Sequence, residues 1–309
     1  MDTILDPKNW QTDLWQLCKS YPKSNLRFDY PISKQTYFGI GGNASAYLEV
    51  DQVNLLIKFA RFKKKYGVNT FILGRGSNLL VSDKGFDGVV IRLSGEFKKL
   101  IVSGTSIRVG TGVSQAKLAK SAARNGLSGV EFALGIPGSV GGGLIMNAGA
   151  WNCDFSQVVH LVQVVTDNGE IVNLTAEHAQ FEYRKSSLNN FFCAIYANLK
   201  LTQSEMSRVT KEMKRLYQKK IQTQPFVEGS AGCMFKNPAE HSAGWLIDQC
   251  GLIGVRVGDA EVSDVHANFI INHGKATAKD VLELVEIIQS SVKVQSGIDL
   301  QLEVKLIGF

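Results

Sequence analysis

The chain has little sulfur or imidazole chemistry to offer. Its 309 residues include five cysteines, Cys18, Cys153, Cys193, Cys233 and Cys250, odd in number, scattered, and without a Cys-x-x-Cys pair. That argues against both a disulfide framework and a zinc site. None of the five histidines (His160, His178, His241, His266, His273) stands at metal-ligand spacing to another, so all five read as structural or surface residues and no metal is expected. No apolar run approaches the roughly 18 residues of a membrane span. The N-terminus, MDTILDPKNWQ, reads as neither a signal nor a transit peptide. The expected location is the cytoplasm, with no membrane partner. Internal repeats and low-complexity tracts are also missing. Net charge is a modest +6. The basic clusters at 61–65 and 211–220 lack the interleaved aromatics of a nucleic-acid platform. Most of these lysines read as a solvated face, and the charge suits a polyanionic small molecule such as a nucleotide.

What the sequence does have is glycine: 30 residues, six of them in residues 134–150, LGIPGSVGGGLIMNAGA. A run this dense is not expected to be helical, because each glycine costs about 1 kcal/mol relative to alanine in a helix interior. Gly138-Ser139-Val140-Gly141-Gly142 offers successive bare N–H groups and a hydroxyl, the composition of an anion-cradling nest. A second glycine turn, Leu73-Gly74-Arg75-Gly76-Ser77-Asn78-Leu79-Leu80, follows the strand-like residues 69–72. Neither turn ends in Gly-Lys-Ser/Thr, so neither is a P-loop. Gly39-Ile40-Gly41-Gly42-Asn43-Ala44 fits a dinucleotide fingerprint only superficially. Two glycine turns about sixty residues apart suggest a diphosphate held between two small sheets.

The rest of the chain supplies the frame. Length and composition allow two domains, or three small ones. Residues 1–25 read as one amphipathic packing helix with Trp10, Leu14, Trp15 and Leu17 near one face. Strands are expected at 46–50, 70–73 and 88–93, with a helix at 53–66. A strand-rich section follows at 99–102, 106–109, 158–166, 170–174 and 194–201, with a helix at 114–125 and an Asp167-Asn168-Gly169 hairpin turn. A charged helix over 204–220, with Met206, Val209, Met213 and Leu216 at helical spacing, leads to a last domain. Helices are expected there at 244–250 and 278–296, and strands at 267–271 and 299–307.

Three places carry chemistry. Arg184, in FEYRKSS, has a planar fork suited to a carboxylate or phosphate, or to a surface ion pair. The segment Glu228-Gly229-Ser230-Ala231-Gly232-Cys233-Met234-Phe235-Lys236-Asn237-Pro238 combines small residues, a thiol able to carry a proton, and two anion or carbonyl ligands. A buried filler is the commoner fate of a free cysteine. Glu303 would share a strand face with Gln301 and Lys305, opposite Leu302, Val304 and Leu306, and is either exposed or lines a cleft.

In order, the blocks TYFGIGGNA, LGRGSNLLVSDKGFDGVVI, GLSGVEFALGIPGSVGGGLIMNAGA, YRKSS, GSAGCMFKNP, GWLIDQCGLIGVRVGDAEVSDVHANFIIN and LEVKLIG resemble the UDP-N-acetylenolpyruvoylglucosamine reductase family over roughly residues 30–308. The resemblance implies an α+β architecture: a two-subdomain FAD-binding fold of the vanillyl-alcohol oxidase type plus a C-terminal α+β substrate-binding domain. The implied division is a helical lead-in at 1–30, an FAD-binding domain at 31–203 (subdomains about 31–95 and 96–203), and a substrate domain at 204–309. Noncovalent FAD is implied, since neither glycine turn holds a histidine. It would be lined by Tyr37, Gly74, Arg75, Gly76, Ser77, Asn78, Leu79, Gly135, Ile136, Pro137, Gly138, Ser139, Gly141, Gly142, Ala148 and Ile195. NADPH is the implied hydride donor and a UDP-sugar the substrate, in peptidoglycan synthesis, with a monomer as the expected form. By resemblance Arg184 and Glu303 polarise and anchor the substrate carboxyl group, and Cys233 protonates the enolate carbon. Lys220, Lys236 and Asn237 would contact substrate. Many members carry serine where this chain has Cys233. A thiol, with an ordinary pKa of about 8.5, is a far better acid than an alcohol. Gln301 replaces a frequent second glutamate, which leaves Glu303 alone in its role. The short spacing from Arg184 to Cys233 points to the class without a substrate-covering insertion. Two rival readings are another FAD oxidoreductase on the same fold, and a nucleotide-sugar binding protein that has lost catalysis. The first leaves GSAGCMFKNP and LEVKLIG unexplained, and the filled positions 184 and 303 argue against the second.

Overall fold

The computed structural model describes residues 10–225 and 229–309. The chain divides into two units: the first takes the residues up to Asp29, Ser45–Gly74 and Gly88–Tyr217, and the second Tyr30–Ala44, Arg75–Asp87 and Gln218–Phe309.

The first unit contains two apolar cores. One is built on a four-stranded sheet in the order 25–31, 43–50, 86–93, 70–73, whose last two strands run parallel with Thr70 opposite Val89. Helix α2 (Val53–Tyr66) covers it with Leu55, Leu56, Phe59, Ala60 and Phe62 and stops at Gly67, a left-handed cap at φ 65°. Both α2 and the strand at Thr70–Leu73 fall where the sequence puts them. Among the described residues helix α1 covers Trp10–Lys19 and ends before the expected residue 25, where an extended strand has begun at Asn25. Residues 1–9 of that expected helix lie outside the described residues, as does Glu228. Its inward face is Leu14 and Cys18, one turn apart, while Trp15 is 47 % exposed beneath the Lys19 ammonium. Trp15 lies about 100° around the helix from Leu14, which turns the indole off the buried stripe.

The second core lies under a five-stranded antiparallel sheet in the order 171–175, 159–165, 193–200, 106–110, 100–103. The Asp-Asn-Gly turn makes its hairpin, pairing Val165 with Ile171 and using Gly169 at φ 74°. Helix α3 (Gln115–Arg124) packs Leu118, Ala119 and Ala122 inward, and the Ser114 hydroxyl caps it by accepting from Lys117 N at 3.2 Å.

The glycine run departs from expectation here. Val140–Ile145 is a short helix, α4, capped by the Ser139 hydroxyl accepting from Gly142 N. Packing overrides propensity: a Cβ on Gly143 would lie 2.5 Å from the Phe155 ring and 3.2 Å from the Gln115 side chain. Only a residue without a side chain lets this turn sit so close, and Val140 and Leu144 anchor it in the core.

The second unit is organised around helix α7 (Ala278–Ser296), which follows the sequence expectation residue for residue. A Thr277/Asp280 capping box starts it, and the Asp83 carboxylate accepts from Ala278 N and Lys279 N at 2.9 and 3.3 Å. Helix α5 (Met206–Thr223) begins in the first unit, where Val209 and Met213 join the core under the five-stranded sheet, Leu216 is buried and Met206 is exposed, and only its residues from Gln218 onward belong to the second. Helix α6 (Ala243–Gln249) and an antiparallel sheet of 256–257, 260–262 and 270–272 complete the unit. The expected strand at 299–307 is split. Only Lys305–Ile307 is a strand, parallel to Leu79–Val81, while Leu302 bridges Phe235. The expected 267–271 strand is confined to Ile270–Asn272, because Asn268 turns its side chain onto the Phe235 backbone. Among the described residues, no helix is long and apolar enough to cross a membrane.

Candidate active site

In the first unit the site grows from the start of α4. Gln115 N donates to Gly138 O at 3.1 Å and Val140 N to Val113 O at 2.8 Å, which fastens the glycine turn to the start of α3. Gly141 N donates to Thr111 O at 2.9 Å, and Thr111 N and Oγ1 bond to the Ile195 carbonyl. The Ile195 side chain itself is buried in the first core. Gly74, the last residue of the first unit before the second glycine turn, touches this loop: a Cβ there would lie 2.6 Å from Ser139 Oγ. Gly74 and the start of α4 therefore meet.

Several polar groups at this turn have no partner of their own. The amide N–H groups of Gly138 and Ser139, both buried, find no acceptor among the described residues. The Gln115 side chain is 2 % exposed and its Oε1 has no hydrogen-bond partner. Buried groups left this way cost about 1–3 kcal/mol each. Adjacent free amides at a helix start are the arrangement that receives phosphate oxygens. Nothing in the loop chemistry conflicts with a diphosphate-bearing ligand.

Arg184 occupies the tip of a tight turn closed by Glu182 N to Lys185 O at 2.9 Å, with φ of 55°. Its Nη2 donates to Gly149 O at 3.2 Å and its guanidinium carbon lies 5.1 Å from the centroid of the Tyr183 ring. Gly149 belongs to a small hairpin in which Ala150 pairs with Cys153, turned by Trp151 and Asn152 at φ 59° and 61°. A non-glycine residue with positive φ is uncommon, and such strain clusters at functional sites. Ala148 lies between this hairpin and the end of α4.

In the second unit several of the expected residues lie on adjoining segments. Tyr37 N donates to Gly76 O at 2.9 Å, and Arg75 Nη2 donates to the Tyr37 hydroxyl at 3.3 Å. Asn78 Nδ2 donates to Glu303 O at 3.2 Å, while Lys305 N donates to Asn78 O at 3.2 Å. Glu303 N donates to Met234 O at 2.8 Å, and Lys236 N to Gln301 O at 2.8 Å. Gly232 faces Ser77 O at 4.0 Å, measured from its would-be Cβ. The turn at 75–79, the Cys233 segment and the Glu303 segment are therefore laced side by side, with Cys233 and Glu303 both half-buried.

Two residues hold this arrangement: Asn268, which sequence reasoning passed over, and His266, which it read only as a structural or surface histidine. Asn268, 1 % exposed, bonds both the N–H and the carbonyl of Phe235 at 2.8 Å. His266 stands behind it, its Nδ1 accepting from Asn268 N at 3.2 Å, and burial pushes its pKa below the usual imidazole value. Asn237 is exposed, and its Oδ1 already accepts from Ala243 N at 3.0 Å at the start of α6, which leaves its Nδ2 for a ligand. Lys220 lies half-buried in the last turn of α5. Burial lowers the Lys305 pKa. The four cysteines away from the site are held as thiols: burial pushes Cys18 up to about 11 and Cys193 to about 12, and also raises Cys153 and Cys250. Raised pKa values make them poor nucleophiles.

Known proteins are similar to this chain in sequence and fold. Residues 44–175 match the family profile described as FAD binding domain, and residues 224–307 match that of the UDP-N-acetylenolpyruvoylglucosamine reductase C-terminal domain. The chain is 43 % identical over 285 residues to UDP-N-acetylenolpyruvoylglucosamine reductase 2 of Symbiobacterium thermophilum, covering 92 % of each protein. It is 39 % identical over 280 residues to the Bacillus subtilis UDP-N-acetylenolpyruvoylglucosamine reductase, covering 90 % of this chain and 92 % of that one. The crystal structure of UDP-N-acetylenolpyruvylglucosamine reductase from Thermus caldophilus superposes with a TM-score of 0.80 at 38 % identity, over 92 % of this chain and 99 % of that one. The fold is α+β, an FAD-binding portion followed by the family's C-terminal domain. The free amides at 138 and 139 fit the cofactor that this portion binds, and the chain belongs to the UDP-N-acetylenolpyruvoylglucosamine reductase family.

Proposed function

We propose that this chain reduces the enolpyruvyl ether of UDP-N-acetylglucosamine to UDP-N-acetylmuramate with electrons from NADPH, as a cytoplasmic monomer supplying peptidoglycan synthesis. Residues 31–203 serve the cofactor and 204–309 the substrate. FAD, when bound, would supply the two-electron store between NADPH and the terminal carbon of the enolpyruvyl double bond. Gly74–Leu79 and Gly135–Gly142 would hold its diphosphate, with the amides of Gly138 and Ser139 available as donors to phosphate oxygens. Arg184 and Glu303 bind the substrate carboxyl group and orient it. The fixed guanidinium stabilises the negative charge that spreads into that group as the enolate forms. The Cys233 thiol then gives its proton to the enolate carbon, completing addition of H⁻ and H⁺ across the double bond. Lys236, the free Nδ2 of Asn237, and Lys220 bind the UDP portion.

One observation carries this reading. The thiol segment, the carboxylate segment and a glycine turn are hydrogen-bonded side by side in one unit, and Cys233 is half-buried where a filler would be enclosed. The test is anaerobic stopped-flow of the FAD-loaded parent and Cys233→Ala, with NADPH added first and the enolpyruvyl UDP-sugar second. The variant's flavin is expected to bleach normally and to reoxidise at least about a hundredfold more slowly, within the usual contribution of a general acid. Reoxidation at the parent rate would make Cys233 a filler. A parent that ignores the sugar would sink the whole reading.

A further inference from the structure

Asn147 stands one residue beyond the C-cap of α4, at φ 39° and 4 % exposed. Its N–H donates to Leu144 O at 3.2 Å and the next amide, Ala148 N, to Gly143 O at 2.7 Å. That pair of bonds closes the helix as a Schellman motif, in which asparagine is the usual substitute for glycine. Closure requires nothing of the side chain, yet both of its polar atoms are engaged. Oδ1 accepts from Ser156 N at 3.0 Å, and Nδ2 donates to Glu182 O at 3.2 Å. Glu182 O is also the acceptor that closes the Arg184 turn, receiving Lys185 N at 3.3 Å. A second side chain repeats the attachment: Ser186 Oγ donates to Ile145 O at 3.0 Å. The strained Arg184 turn is thus pinned on both flanks to the C-terminal end of the helix whose N-terminal end carries Ser139 and the free amides. Six residues of helix are about 9 Å long.

We propose that Asn147 is a positioning residue for Arg184, fixing the guanidinium relative to the cofactor turn through α4. This rests on the reading that Arg184 binds the substrate carboxylate. A left-handed turn at Arg184 has no local preference to hold it, since arginine disfavours positive φ. Without the Asn147 bond the turn samples other conformations, and the arginine is in place for only part of the time. Half a reaction is then impaired: the step that uses the substrate carboxylate slows, while reduction by NADPH, which carries no such group to Arg184, does not.

Asn147→Gly and Asn147→Asp separate the possibilities. Glycine preserves the helix closure and removes both side-chain bonds. Aspartate keeps the acceptor for Ser156 N and removes only the donor to Glu182 O. Each variant, loaded with FAD, is followed by anaerobic stopped-flow beside Arg184→Gln. Both Asn147 variants are expected to bleach with NADPH within about twofold of the parent and to reoxidise with the enolpyruvyl UDP-sugar about tenfold or more slowly, the scale of loss that misplacement of a binding group produces. Asn147→Asp reoxidising at the parent rate overturns the proposal. So does an equal loss in both half-reactions, or loss of FAD by both variants, because the bonds would then serve the cofactor turn. Arg184→Gln slow with the Asn147 variants normal refutes this inference alone. Arg184→Gln at the parent rate removes the reading beneath it.

Discussion

The contact between Gly74 and Ser139 joins two residues that are 65 positions apart, and it can be measured in free energy. An alanine methyl at 74 would lie 2.6 Å from Ser139 Oγ and 3.6 Å from Ser139 Cβ. The first distance is a clash and the second is ordinary contact. Gly74 has no left-handed φ, so the substitution brings steric cost without backbone strain. The cheapest relief is rotation of the Ser139 hydroxyl to another staggered well, which breaks its cap on Gly142 N. A lost N-cap costs about 1 kcal/mol. Ser139→Ala loses the same cap and costs about the same. In that background the methyl at 74 meets only Cβ, so Gly74→Ala adds almost nothing. The double variant is therefore expected to lose about 1 kcal/mol where additivity gives about 2, a coupling of about 1 kcal/mol and larger than the roughly 0.5 kcal/mol scatter of independent sites. The assay is urea unfolding of the four apo proteins, read by tryptophan fluorescence at equal m-value. An additive double variant would mean that Gly74 and Ser139 do not touch. A loss above about 3 kcal/mol for Gly74→Ala that Ser139→Ala leaves unrelieved would mean that the backbone moves instead of the hydroxyl.

Two further outcomes follow from the wall behind Cys233. Asn268→Ala leaves the Phe235 N–H and carbonyl buried and unpaired, and is expected to lower unfolding free energy by about 2–5 kcal/mol. A loss under about 1 kcal/mol in chemical denaturation would show that the segment does not depend on Asn268. His266 is held neutral by burial, its folded pKa lying below its unfolded value of about 6.5. The unfolded chain therefore takes up this proton first. Stability is lost as pH falls from the unfolded pKa toward the folded one, and below both the loss is complete. The stability gap between parent and His266→Gln is expected to shift against the parent across that window. A gap independent of pH between 7.5 and about 5 would refute the assignment.

Elements whose making is local were readable from the sequence. Helix α2 shows its buried stripe and ends at a glycine, α3 begins at a capping serine, and the Asp-Asn-Gly turn sets a hairpin register. Apolar periodicity and cap chemistry act over a few residues, so one segment contains the whole signal. The glycine run misled for the same reason. Its propensity is against a helix, and only Phe155 and Gln115, distant neighbours brought alongside, reward a turn with no side chains. The C-terminal strand failed likewise: residues 301–303 and 305–307 find different partners, at 234–236 and 79–81, and no period in the sequence records that change.

The sequence by itself determined the chemical inventory: two glycine turns, a fork, a thiol and a carboxylate, in an order whose resemblance names a family. Tertiary structure alone decided which of these meet. Asn147 and Asn268 read as ordinary polar residues in the chain, yet Asn147 bridges the backbones of Ser156 and Glu182, and Asn268 holds both backbone groups of the distant Phe235. Hydrogen bonds between distant segments exist only once the chain is folded, because buried N–H and carbonyl groups must find partners wherever packing leaves them. Residue type fixed what each group can do, and burial fixed which of them must do it.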